Sequence, residues 1–411
     1  MRAPNYSSVP DEILSIEAIE HPHKLYKRLR EQLPVAKICN TGVHTVSNWS
    51  LIEEVLGRER DFSANLTGVL CRGSNDLPQC FELPNSSATA VIATADDPVH
   101  AVHRSILQPQ FLAGKVAALE PLLRRWIVAT LLPLFEAGDS DYVPAIEQIP
   151  AMTVAHLLGL PQEDLCRHRV WAMMGGDILA GEVSDTRLEF LARQTSDMAE
   201  YLGSHIDRAL ADTDHSATAP IVHILAQAIA TGEIDRDQAL GMAIVLFGAG
   251  GESTAALIGS MLHFLATDSN IMTLLREKPE LSARFIEEII RLEPPFKFHY
   301  RVVRRPCKLG GYDLATDDRL MLLWASANRD SSRFEDPDSL RLDRRHIRQH
   351  LGFGRGAHFC IGAGLARMEA KLVLETILQH IRRFECVSEK PPVYARSIFV
   401  RRFESLVLRA S

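Results

Sequence analysis

Apolar residues recur at intervals of three and four through LYKRLREQL (25–33), VAALEPLLRRWIVATLLPLF (116–135) and LEFLARQTSDMAEYLGSHIDRAL (188–210). That spacing gathers them on one face of an α-helix, so most of the chain reads as helix. Period-two alternation is confined to short runs. VAKICNTGVHTVS (35–47) and the nearly all-apolar RLMLLW (319–324) predict a small sheet, which makes the expected class mainly α with small β-sheets. The stretch around residues 74–89, SNDLPQCFELPNSSAT, reads as a flexible loop. No repeat, low-complexity tract or long polar linker divides the sequence, and one domain over 1–411 is the simplest organisation.

One segment, ALGMAIVLFGAGGESTAALIGSMLHFLA (239–266), is long enough to cross a bilayer and carries a single formal charge, Glu252. Three features favour a buried central helix instead. It is the only such segment, Gly248, Gly250 and Gly251 loosen its middle, and lipid would penalise the central acid. Asp235 and Gln238 form a capping-box pattern at its start. A helix of about 30 residues would then run roughly 45 Å at ~1.5 Å per residue.

Composition narrows the function classes. With 411 residues, 46% of them hydrophobic, the chain can bury a large core. A formal net charge of -7 argues against a general nucleic-acid-binding surface. Seven cysteines, scattered without a CxxC pair, suggest neither a disulfide framework nor structural zinc, and fit a reducing compartment. The N-terminal MRAPNYSSVPDEILSIEAIEHPHKLYKRL has no apolar stretch behind a basic start. It resembles neither a signal peptide nor an anchor, so a soluble, cytoplasmic protein is expected.

The chemistry concentrates in GFGRGAHFCIGAGLA (352–366), where Cys360 precedes the apolar helix LARMEAKLVLETIL. A cysteine at a helix N-terminus meets partial positive charge and free N–H groups, which favour the thiolate. Gly354, Gly356 and Gly362 allow tight turns and close approach to a flat ligand, so a thiolate ligating a planar metal cofactor fits. A plain buried cysteine is the bland alternative. A phosphate-cradling glycine loop is another, weakened because neither GxGxxG after a strand nor a GK[ST] ending is present.

The residues Phe353 to Gly362 resemble the cysteine-ligand signature FGxGxHxCxG of the cytochrome P-450 family. Glu288-Ile289-Ile290-Arg291 resembles that family's ExxR motif, and His100 with Arg104, after Asp97-Pro98, resembles its HxxxR pair. Ala327-Asn328-Arg329-Asp330 is similar to a further family segment. The resemblance runs from about LYKRLREQLPV to the C-terminus. It implies a mostly helical single domain with small sheets and a long central helix over haem.

In that frame Cys360 would be the metal ligand, its thiolate favouring O–O cleavage on the far side. Phe353, Gly354 and Gly362 would frame it, and His100, Arg104, Arg301 and His358 match positions that hold the haem propionates. Ala249 to Thr254 resembles the family's [AG]Gxx[ST] region, which would make Glu252, Ser253 and Thr254 the proton-delivering, catalytic residues. Its glycines would leave room for dioxygen, and Ala249 would lie over the haem. Ser253 stands where the family usually has threonine, without the methyl that restrains a hydroxyl rotamer. The plainer alternative for both hydroxyls is bonding back to helix carbonyls.

Val245, Gly248, Ala249 and Glu252 share a helical face that would look toward haem and substrate. By family position Phe296, His299 and Phe399 would line the substrate pocket, and Lys297 would meet a polar group. Glu288 and Arg291, three apart, would at the least form a helix-surface ion pair of a few tenths of a kcal/mol. Arg341, Arg344, Arg345, Arg348 and Arg355 form a charge run that is either a solvated face or a dock for an acidic redox partner.

The reading as a whole is a soluble haem-thiolate monooxygenase that inserts one oxygen atom of O2 into a small apolar molecule. Its cofactor would be haem b, with electrons from NAD(P)H arriving through a ferredoxin or flavodoxin type donor and its reductase. Neither nucleic acid nor membrane is expected as a partner. A peroxide-driven haem-thiolate enzyme and a non-catalytic haem-binding sensor are the alternatives.

Overall fold

The apolar segment of the sequence forms one helix over Arg236–Thr267 in the computed structural model, which describes residues 10–73, 75–83, 90–182, 184–212 and 219–411. The Asp235 carboxylate accepts from the Gln238 amide at 2.7 Å, and the Gln238 side chain accepts from the Asp235 amide at 3.0 Å, closing the capping box. Helices Val143–Leu158, Leu165–Ala172, Asp185–Ala211 and Ala363–His380 pack around it. Its apolar residues are therefore covered by protein on most sides, which accounts for a hydropathy that would also suit lipid.

Two of its glycines serve this packing. A Cβ on Gly251 would sit 2.4 Å from the Ala172 Cβ, and one on Gly248 would sit 3.1 Å from the Gly175 Cα. The expectation that the glycines of Ala249–Thr254 make room for a small ligand is corrected for Gly251: it and Gly248 let the chain at 172–175 approach the central helix. Large apolar clusters lie on either side of the helix, one including Leu257, Met261, Phe285 and Val373, the other Trp171, Leu202, Met242 and Phe247.

The predicted sheet has five strands in the order Val35–Ile38, Val43–Val46, Arg319–Leu322, His299–Val303 and Phe62–Ser63. Arg319–Leu322 runs parallel to Val43–Val46 and antiparallel to His299–Val303, with all four of its residues buried. Burial on both faces explains why this run is, apart from Arg319, apolar rather than alternating. The loop expected around 74–89 is in part a strand, because Pro78–Glu82 pairs antiparallel with Gly68–Arg72. Residues 74 and 84–89 lie outside the described residues.

Glu288 and Arg291 form much more than a surface pair. Both side chains are fully buried and bonded at two points, Nε to Oε1 at 2.8 Å and Nη2 to Oε2 at 2.9 Å. Arg291 also donates to the carbonyls of Asn328, Pro337 and Ser339. Glu288 accepts in addition from the Arg344 guanidinium and the Arg341 amide, each at 2.9 Å. A buried, fully bonded charge pair is costly to break because the partner left behind stays desolvated. We therefore expect Glu288→Gln to destabilise the protein by about 3–5 kcal/mol. Arg291→Lys should not rescue folding, since an ammonium lacks the planar fork. Urea unfolding of the holoprotein measures both, and a loss under about 1 kcal/mol would contradict the assignment.

Candidate active site

The loop between Leu351 and the helix Ala363–His380 is shaped by its own backbone. Gly354 and Gly356 adopt φ of +67° and +75°, conformations that side chains with a Cβ rarely tolerate. The Gly354 amide donates to the Leu351 carbonyl at 2.9 Å, and the Cys360 amide donates to the Phe353 carbonyl at 3.0 Å. Arg104 clamps the same loop from the helix Val99–Leu107, donating to the carbonyls of Ala357 at 2.9 Å and Phe359 at 2.8 Å. From the other side the Asn328 side chain accepts the Leu351 amide at 2.7 Å.

This loop forms part of a cavity of about 250 Å³ that Cys360, Phe353, Gly354, His358 and Gly362 help to line. The central helix contributes Val245, Leu246, Ala249, Gly250, Ser253, Thr254 and Leu257. Phe296, His299, Arg301, His100 and Arg104 line it as well. A second, more polar cavity of about 260 Å³ adjoins it and shares His100, Arg301, Arg355 and His358. The His100 and His358 rings lie 4.1 Å apart. The Nδ1 of His358 is buried without a partner among the described residues.

The sulfur is desolvated. Burial pushes the Cys360 thiol up, while the amides of Gly362 and Ala363 and the Arg367 and Arg104 guanidinium groups pull the other way. The helix-terminus argument for a free thiolate is thus outweighed by burial, and a cation at the sulfur is what would hold it ionised. A lone thiol, two strongly turned glycines and a cationic, partly unpaired rim together suit a flat, acidic cofactor carrying a thiolate-binding metal.

Several expected residues lie elsewhere. Glu252 is fully buried but does not line the cavity; its carboxylate accepts from the Gly176 amide at 2.8 Å and from the Arg402 Nε at 3.0 Å. Burial pushes it up to about 7, against the pull of the Arg402 guanidinium. The Ser253 hydroxyl donates back to the Ala249 carbonyl at 2.5 Å. Gly248 faces Gly175, and Phe399 stacks behind Phe296 at 4.5 Å, so neither lines the cavity. Lys297 meets a polar group, donating to the Ser397 carbonyl at 2.6 Å.

The arginine run is not a free basic patch. Arg344 is buried on Glu288, Arg341 pairs with Glu335, Asp336 and Asp343, Arg348 with Glu287, and Arg355 with Glu53. Acids close in sequence or brought close by folding pair with four of the five, while Arg345 and most of the Arg348 side chain stay exposed, so the run is part buried structure and part solvated face.

Three groups escaped the sequence reading. Arg402 holds Glu252 across 150 residues of chain. Trp324 lines the cavity and donates to His299. Glu369 lines the cavity with one carboxylate oxygen unpartnered among the described residues, and burial pushes it up to about 8. Its place in an apolar helical stripe, RMEAKLVL, was the available signal.

A model of the cytochrome P450 family matches residues 191–406. Cytochrome P450 144 of Mycobacterium tuberculosis is 38% identical over 394 residues, covering 95% of this chain and 89% of the relative. Linalool 8-monooxygenase of Pseudomonas putida is 28% identical, covering 90% and 91% of the two chains. The crystal structure of CYP109E1 from Bacillus megaterium in complex with testosterone superposes with a TM-score of 0.82 at 26% identity, covering 96% and 98%. The chain belongs to the cytochrome P450 family, and it is a cytochrome P450 monooxygenase, a class that works with haem and dioxygen.

The two raised carboxyls carry a pH prediction. A carboxyl whose folded pKa lies above its unfolded value binds more protons when folded, so its contribution to stability falls as pH rises through that window. For Glu252 the window runs from 4.5 to about 7, and for Glu369 from 4.5 to about 8. Relative to the parent protein, Glu252→Gln should gain stability as pH rises from 5 to 7 and stay level above that. Glu369→Gln should keep gaining up to pH 8. Urea unfolding at pH 5, 6, 7 and 8 tests this, and a pH-independent difference for both variants would contradict it.

Proposed function

We propose that this protein is a single-domain, cytoplasmic haem-thiolate monooxygenase that inserts one oxygen atom of O2 into an apolar small molecule. Electrons would come from NAD(P)H through a separate ferredoxin or flavodoxin type donor and its reductase. The observation that carries the reading is one cavity shared by the Cys360 thiol and the Ser253 and Thr254 hydroxyls of the central helix. Haem b bound there would supply oxygen activation and oxygen-atom transfer.

Cys360 would hold the iron through its sulfur, with the amides of Gly362 and Ala363 already directed at that atom. His100, Arg104, Arg301 and His358 would take the two propionates. Arg301 remains a cation at neutral pH although burial pushes it down to about 10, so it brings a charge to that rim. Phe353, Gly354 and Gly362 would frame the cofactor on the side of the sulfur, with Ala249 and Gly250 of the central helix lining the same cavity.

Glu252 would supply protons. At about 7 it exchanges a proton readily near neutral pH, as a general acid should. To reach the cavity its carboxyl must leave Gly176 and Arg402, so that contact sets the cost of delivery. Ser253 and Thr254 follow the acid in sequence and line the cavity, and their hydroxyls would relay the proton. Val245, Phe296 and His299 would face the substrate, with Phe399 and Gly248 supporting from behind.

The first test is spectroscopic. The reduced holoprotein with carbon monoxide should give the red-shifted thiolate band, and Cys360→Ser should abolish it; an imidazole-type spectrum in the parent protein would overturn the assignment. Substrate-dependent NAD(P)H consumption with surrogate carriers separates a monooxygenase from a sensor or a peroxide-driven enzyme. Glu252→Gln should lower turnover by roughly 10²-fold while leaving the carbon monoxide band in place. Unchanged turnover would remove Glu252 from proton delivery.

A further inference from the structure

His299 opens the strand His299–Val303 and lines the cavity. The Trp324 indole donates to its Nδ1 at 2.7 Å. An indole nitrogen only donates, so the ring nitrogen facing it must present a lone pair. Burial, with Arg301 second, pushes the ring down to about 3, which keeps it neutral at physiological pH. A neutral imidazole with a bare Nδ1 carries its hydrogen on Nε2.

The ring is also fixed in orientation. Phe296 and Phe399 meet it edge to face at 5.6 Å and 5.5 Å, and Trp324 lies 6.0 Å away. Among the described residues, the only hydrogen bond made by the His299 side chain is the one from Trp324. Its Nε2–H therefore has a fixed direction and no partner among the described residues, in a cavity whose lining includes the apolar Val245, Leu246, Ala249 and Phe296.

We propose that His299 determines specificity: its Nε2–H binds a carbonyl, ether or hydroxyl oxygen on an otherwise apolar substrate, and Trp324 is the positioning residue that fixes the tautomer. The inference rests on the monooxygenase reading above and adds the substrate's chemical class. A buried donor left unpaired is penalised, so a hydrocarbon of the same skeleton is bound less well than its oxygenated counterpart. A ligand offering only donors, such as an ammonium, meets a donor and is disfavoured.

Two measurements on the holoprotein test this. In the diamagnetic ferrous carbon monoxide form, ¹⁵N NMR should show His299, assigned by its loss in His299→Phe, protonated at Nε2 and bare at Nδ1. Trp324→Phe should shift that signature toward a tautomer mixture. The opposite tautomer in the parent protein, or an unchanged signature in Trp324→Phe, would overturn the respective role. Spectral titrations then compare ketone and hydrocarbon pairs of graded ring size, from cyclohexanone and cyclohexane to cyclododecanone and cyclododecane. The ketone-to-hydrocarbon affinity ratio should fall roughly five- to tenfold in His299→Phe, with hydrocarbon affinity retained. An equal loss for both members would mean that the donor serves the cofactor's carboxylates or packing, and would overturn the proposal alone. Failure of the parent protein to bind any pair would overturn it together with the apolar-substrate reading, whatever the tautomer.

Discussion

The buried bond between Glu288 and Arg291 is the constraint on which the site's geometry depends. Two opposite charges survive without solvent only when their remaining lone pairs and hydrogens are also satisfied. Here the partners are carbonyls of Asn328, Pro337 and Ser339, the Arg341 amide and the Arg344 guanidinium, all from the segment that leads to the cysteine loop. Asn328 passes the constraint on by accepting the Leu351 amide. Gly352 then lies so close to Ile290, on the same helix as the pair, that a Cβ there would be 2.4 Å from the Ile290 side chain. The position of the sulfur is thus tied to an ion pair some 70 residues earlier in the chain, through bonds in which backbone groups of the intervening segment take a large part.

Desolvation governs the cavity's electrostatics. It pushes Cys360, Glu252 and Glu369 up and His299 and His358 down, in every case toward the neutral form. Neutral walls suit an apolar guest, and they leave direction to a few fixed dipoles such as the His299 ring. Charge survives at the rim, where Arg104 and Arg301 lie, and behind the central helix, where Arg402 meets Glu252.

Much of this was legible because local rules applied. The capping box at Asp235 and Gln238, the long apolar run and the strand pair at 35–46 depend on neighbours within a few residues, and all three formed as the sequence implied. The stretch Phe353 to Gly362 was legible for another reason: its glycines answer to backbone geometry, and the structure places Gly354 and Gly356 at positive φ. Glu252 reads differently. Helical spacing grouped it with Val245 and Ala249, but a flexible carboxyl follows the strongest donors in reach, and Arg402 and Gly176 come from remote parts of the chain.

What the sequence alone determined is the class of fold, the central helix and the identity of the sulfur loop, because each is encoded in contiguous residues with a fixed period or a backbone requirement. What only tertiary structure decided is which side chains share the cavity and in what state of protonation. The arginine run became a mixture of buried and surface ion pairs, Gly248 a packing contact rather than a cavity wall, and His299 a donor of fixed tautomer. Those outcomes depend on distances between segments far apart in sequence and on the water excluded between them, quantities that no periodicity along the chain expresses.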